Sequence, residues 1–136
     1  MEETESDKNI MNRAAPDSIM VIGNDAHFCY LMQSYIRESS RQAVIASLMD
    51  DTLTLARREQ PIAIIMEIDH PGNQGWYMLR ELKSEMATSC IPVVLCSWLD
   101  EHKRGIEEGA AAYLRMPILY KDFISVLSEI GLYPCE

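Results

Sequence analysis

The chain has 136 residues, 48% of them hydrophobic, and a formal net charge of −9. That length suits one domain with a single core, and the acidic balance argues against nucleic acid or an anionic membrane surface as a direct partner. No apolar run approaches the ~20 residues that span a bilayer. Residues 1–16 begin acidic, Met1-Glu-Glu-Thr-Glu-Ser-Asp-Lys8, where a signal peptide would be basic and then apolar. They read as a disordered leader, and the protein as cytoplasmic. Cys29, Cys90, Cys96 and Cys135 are scattered without CxxC spacing, which offers no zinc site or disulfide framework and fits a reducing compartment.

The folded part is expected over 17–131, with a short tail at 132–136. Five apolar runs predict strands: Ile19–Ile22, Ala43–Ala46, Ile62–Met66, Pro92–Cys96 and Ala111–Leu114. They are continuously apolar rather than alternating, as in a parallel sheet covered on both faces. Between them the pattern turns helical. Asp25 is placed as an N-cap before the face Phe28, Leu31, Met32, Tyr35 and Ile36. Asp50 or Asp51 caps a second helix anchored by Leu53 and Ala56. Trp76, Leu79 and Leu82 make the inner stripe of a third. The fourth, 100–108, is mostly charged, with Ile106 as its anchor and Gly105 lowering its propensity. Phe123, Val126, Leu127 and Ile130 give the last helix its face. Alternating strands and helices predict a doubly wound α/β fold with right-handed crossovers, in the flavodoxin-like order 2-1-3-4-5.

Glu67 closes the central apolar run and is followed by Asp69, His70, Pro71-Gly72 and Gly75. This puts a carboxylate at the carboxyl end of a central strand, where open α/β sheets bind ligands. Over residues 17–131 the chain resembles a response-regulator receiver domain, of the stand-alone chemotaxis-regulator kind. The resemblance rests on Pro61 before the central strand, the Pro71-Gly72 turn with Gly75, Pro92-Val-Val-Leu-Cys-Ser97, and Gly109-Ala-Ala-Ala-Tyr113-Leu-Arg-Met-Pro117. It implies a phosphoacceptor position at Glu67, an acidic Mg²⁺ pocket at Gly23, Asn24 and Asp25, and a phosphate-contacting hydroxyl at Ser97. It also implies a switch-type aromatic at Tyr113 and a phosphate-pairing cation at Met116.

The chemistry departs from that pattern. Gly23 and Asn24 stand where an acidic pair would hold Mg²⁺, and only Asp25 next to them is acidic. Glu67 replaces an aspartate, and its extra methylene displaces the carboxylate in a reaction that depends on positioning. Met116 replaces the lysine, and Arg115 beside it points to the other face of a strand. Trp98 follows Ser97 at a position usually small. Three readings of Glu67 stand: a structural carboxylate bonded to loop N–H groups, a mimic of the phosphorylated state, or an acceptor. Asp69, His70, His27 and His102 read as solvated surface groups.

The expected function is a degenerate receiver, or pseudo-receiver. It signals by protein–protein contact in a two-component or phosphorelay pathway, without enzymatic activity, cofactor or metal. A histidine kinase or another regulator is the expected partner. Trp98, Lys103, Arg104 and Lys121 form the candidate interface, with Trp98 alternatively folded inward over the pocket. The competing expectation is a working response regulator that needs Mg²⁺ and accepts phosphate at Glu67 or Asp69. A small-ligand binder on the same fold lacks a Gly-rich loop after the first strand.

Overall fold

The computed structural model describes residues 18–47, 51–69 and 73–131. The expected leader and tail, Asp50, His70 and the Pro71-Gly72 turn lie outside them. The chain order is β1 (Ile19–Ile22), α1 (Ala26–Glu38), β2 (Ala43–Ala46), α2 (Thr52–Glu59) and β3 (Ala63–Glu67), then α3 (Gln74–Ser84), β4 (Val93–Ser97), α4 (His102–Glu107), β5 (Ala112–Arg115) and α5 (Tyr120–Glu129). The five strands form one sheet in the order β2-β1-β3-β4-β5, and every pairing is parallel. The flavodoxin-like doubly wound architecture is therefore as expected. The first two strands fall where the apolar runs place them; the last three end one residue later, so Glu67, Ser97 and Arg115 are strand residues.

Side chains alternate across the sheet and build two cores. On one face Ile19, Val21, Ile65 and Val94 pack with Phe28, Met32 and Ile36 of α1 and with Phe123 and Leu127 of α5. On the other, Met20, Ile64, Met66 and Leu95 pack with Ala56 of α2 and with Trp76, Leu79 and Leu82 of α3. β1, β3 and β4 are buried throughout, but the edge strands β2 and β5 are only partly covered. Each fully buried Ile or Leu contributes about 1.5–3 kcal/mol, so the three inner strands hold the frame on which the loops at their carboxyl ends are mounted.

The caps follow the sequence: the Asp25 side chain accepts from Phe28 N–H, and Asp51 accepts from Thr54 N–H. Two expectations are corrected. Ile106 does not anchor α4; it is exposed, and the buried residue of that helix is Gly105. A Cβ at Gly105 would lie 3.0 Å from the Tyr113 ring and 3.2 Å from Leu95, so the glycine lets α4 approach the sheet more closely than a side chain would. Cys90 is disulfide-bonded, against the expectation of no disulfide. It lies exposed in the turns before β4, and scattered cysteines without a spacing motif carry no signal of pairing. Cys29 and Cys96 are free thiols.

Candidate functional site

Glu67 ends β3 at the carboxyl edge of the sheet and is buried. Its Oε1 accepts hydrogen bonds from Asn24 N–H at 3.2 Å and Asp25 N–H at 3.3 Å. The carboxylate thus leans across to the β1–α1 turn and meets the N-terminus of α1, where a negative charge is favoured. Gly23 makes this possible. A Cβ there would come within 3.0 Å of Glu67 Oε1 and 3.0 Å of the Phe28 ring. The glycine at 23 and the longer acid at 67 are one packing arrangement, in which the glutamate fills the space that the missing side chain leaves.

The other expected pocket members are also engaged. Asn24 Oδ1 accepts from the Ser47 hydroxyl at 2.9 Å, tying the loop to the end of β2. Asp25 caps α1. Met116 packs against the α1–α5 core rather than presenting a charge, and its N–H donates to Ser97 O at 2.7 Å. The negative charge is felt locally: burial, and then the Glu67 carboxylate, push the Cys29 and Cys96 thiols up. Both thiols are thereby held protonated, as small hydrophobes rather than nucleophiles.

These residues do not fit a Mg²⁺ site of the receiver kind. Such a site needs several hard oxygen ligands converging on the ion, whereas Glu67 Oε1 accepts backbone N–H groups and Asn24 Oδ1 accepts a hydroxyl. Among the described residues, no group of three or more His, Cys, Asp or Glu could hold a metal ion.

Asp69 corrects the expectation of a solvated loop residue. Its Oδ1 accepts from the Ser97 hydroxyl at 2.5 Å, and its Oδ2 accepts from Trp98 N–H at 2.7 Å. The hydroxyl expected to meet phosphate is therefore bonded to Asp69. Tyr113 is fixed as well: its hydroxyl donates to Leu99 O at 2.5 Å and accepts from Glu101 N–H at 3.1 Å. Arg115, off the pocket as its strand position implies, donates from Nε to Trp98 O at 3.2 Å. No sequence signal marks Asp69, since its partners lie 28 and 29 positions away.

Trp98 is 59% exposed and does not fold inward over the pocket. Arg104 lies over the Trp76 ring, 3.9 Å from its centroid. It helps line a cavity of about 490 Å³ between α3 and α4 with Tyr77, Met78 and Arg80. Lys103 and Lys121 are exposed, on α4 and in the first turn of α5.

No family model matches the chain. The protein PilH of Pseudomonas aeruginosa is 25% identical over 115 residues, covering 82% of this chain and 95% of PilH. The response regulator PleD of Caulobacter vibrioides is 35% identical over 79 residues, covering 54% of this chain but 17% of PleD. Among solved structures, the receiver domain of the sensor histidine kinase PA1611 of Pseudomonas aeruginosa superposes with a TM-score of 0.73 at 17% identity, covering 86% of this chain and 99% of that one. Among the described residues no helix is long and apolar enough to cross a membrane. PleD is named a response regulator, and the PA1611 domain is a receiver domain whose fold this chain shares.

Proposed function

We propose that this chain is a receiver-type signalling domain of a two-component or phosphorelay pathway that acts by protein–protein contact, without being phosphorylated. The observation that carries this reading is the Glu67 carboxylate turned into the β1–α1 turn and bonded to Asn24 and Asp25 N–H. In-line phosphoryl transfer needs a positioned acceptor, a divalent ion and a cation on the transferring group. Here one oxygen of the acceptor lies on backbone donors, the Mg²⁺ ligands are altered, and Met116 occupies the position of the cation. Asp69 is a poor acceptor for a related reason, since both of its oxygens accept hydrogen bonds from the carboxyl end of β4 and the residue that follows it. The same geometry disfavours Glu67 as a mimic of the phosphorylated state, because Ser97 bonds to Asp69.

On this reading the protein is no enzyme and has a cytoplasmic protein partner, a histidine kinase or another regulator, and does not bind nucleic acid. The surface carrying Trp98, Lys103, Arg104 and Lys121 is where that partner is sought. Incubation with acetyl phosphate or phosphoramidate and Mg²⁺, followed by intact-mass measurement, tests the phosphorylation claim. Unmodified mass is expected. An adduct mapped to Glu67 or Asp69 would overturn the reading.

A further inference from the structure

Of the five helices, α4 has the least burial to hold it. It has six residues, and the one it buries is Gly105, so it places no side chain in either core. Each of the others buries at least one: Phe28 in α1, Ala56 in α2, Leu79 in α3 and Phe123 in α5. Isolated helices shorter than about 12–15 residues are marginal in water, so α4 depends on what surrounds it. Its support is polar and centres on two side chains from elsewhere in the fold. Asp69 accepts from the Ser97 hydroxyl and from Trp98 N–H. Tyr113, whose ring lies beneath Gly105, donates its hydroxyl to Leu99 O and accepts from Glu101 N–H. Leu99 N–H donates to Ser97 Oγ at 2.9 Å, which joins the two sets of bonds. At the far end Arg80 pairs with Glu108 at 3.1 Å, but the Arg80 side chain is 61% exposed, and pairs so placed contribute little.

We propose that residues 98–109 open as a separate unit while the sheet stays folded, and that Asp69 and Tyr113 are the latch that keeps the unit shut. Segments with few buried apolar groups and solvent-facing hydrogen bonds open at a fraction of the global cost. Three of the four candidate interface residues, Trp98, Lys103 and Arg104, lie in this unit, so opening it takes that surface apart. The inference rests on the reading that this surface meets a partner without phosphorylation. It adds how the surface is controlled, by two internal side chains that reach the segment from the loop after β3 and from β5. Asp69 matters because one carboxylate holds two successive residues at the end of β4. Tyr113 matters because one hydroxyl spans the turn into α4.

Native-state hydrogen exchange on the full chain tests this. The α4 probes are the bonded amides of Trp98, Leu99, Glu101, Gly105 and Glu108, and the strand probes are those of Ile19 and Ile64. In the parent, the α4 probes should exchange at least about a hundredfold faster than the strand probes. Asp69→Ala removes two acceptors, and Tyr113→Phe removes one donor and one acceptor. Each should speed the α4 probes about tenfold or more, and the strand probes by the same factor, because the latch is also lost in global unfolding. Ile36→Val, in the core on the α1 side of the sheet, should speed the strand probes severalfold but leave the α4 probes unchanged, because its contacts survive the opening. A single rate for both sets in the parent would overturn the separate unit, as would Ile36→Val speeding both sets alike. A latch variant that leaves the α4 probes unchanged removes its residue from the latch; if Asp69→Ala does not fold, Tyr113→Phe decides. Phosphate incorporation would refute the underlying reading but leave the exchange pattern standing, so the two failures are distinguishable.

Discussion

Shortening Glu67 to aspartate, the residue the resemblance leads one to expect, should destabilise this protein. Glu67 Oε1 reaches Asn24 N at 3.2 Å and Asp25 N at 3.3 Å. Losing one methylene withdraws the carboxylate by about 1.5 Å, which takes both contacts beyond hydrogen-bonding range. Bonds to a charged acceptor contribute roughly 1.5–3 kcal/mol each. Asn24 and Asp25 are exposed, so water can meet their freed N–H groups, and a cost of about 1 kcal/mol per bond is the better figure. The expected loss is about 2 kcal/mol, or roughly 8 °C in Tm for a domain of this size. Glu67→Gln keeps the length and an acceptor oxygen and should cost about 1 kcal/mol or less. Urea unfolding with equal slopes for all variants gives the comparison. Gly23→Ala supplies an internal control. Its Cβ would crowd Glu67 Oε1 and the Phe28 ring at 3.0 Å, so the double variant with Glu67→Asp should be more stable than the sum of the single losses predicts. An aspartate variant as stable as the parent, or strict additivity with Gly23→Ala, would refute the coupling between positions 23 and 67.

Ile64→Ala and Val94→Ala remove fully buried side chains from inner strands; unfolding curves should show losses of about 2–4 kcal/mol, the valine at the lower end. Gly75→Ala should destabilise by about 1–3 kcal/mol despite the better helix propensity, because its Cβ would lie 2.9 Å from Ile68 Cδ1 and 3.0 Å from Ile68 Cα; a gain in stability would show that β3 and α3 separate easily. The hydrogen bond from Arg80 holds the Glu108 carboxyl below its ordinary value of 4.5. Its contribution is therefore complete above that value and is lost as pH falls through the lowered one. Glu108→Gln should unfold slightly below the parent at pH 7, and the gap should close as pH falls through the lowered value. Titration with Mg²⁺ into the millimolar range should produce no saturable shift of the Asn24 or Glu67 amides.

Short-range sterics made the frame legible from the sequence. Continuous apolar runs, helical spacing, and the caps at Asp25 and Asp51 are local properties, and alternation of the two element types leaves few topologies open. The departures at Gly23, Asn24, Glu67 and Met116 were also legible, because each is a residue type at a fixed offset from a strand end. Where those residues point was not. The direction of Glu67 depends on the space above Gly23, on a neighbouring strand, and the hold of Asp69 on Ser97 and Trp98 joins positions 28 and 29 apart. The burial of Gly105 in place of Ile106 depends on how closely Tyr113 and Leu95 lie beneath α4. Periodicity ranks side chains by hydrophobicity, but a glycine buried for lack of a side chain has no such signal. Pairings of this kind form only once the parallel sheet has brought the ends of β1, β3 and β4 to one edge, so tertiary structure alone decides them.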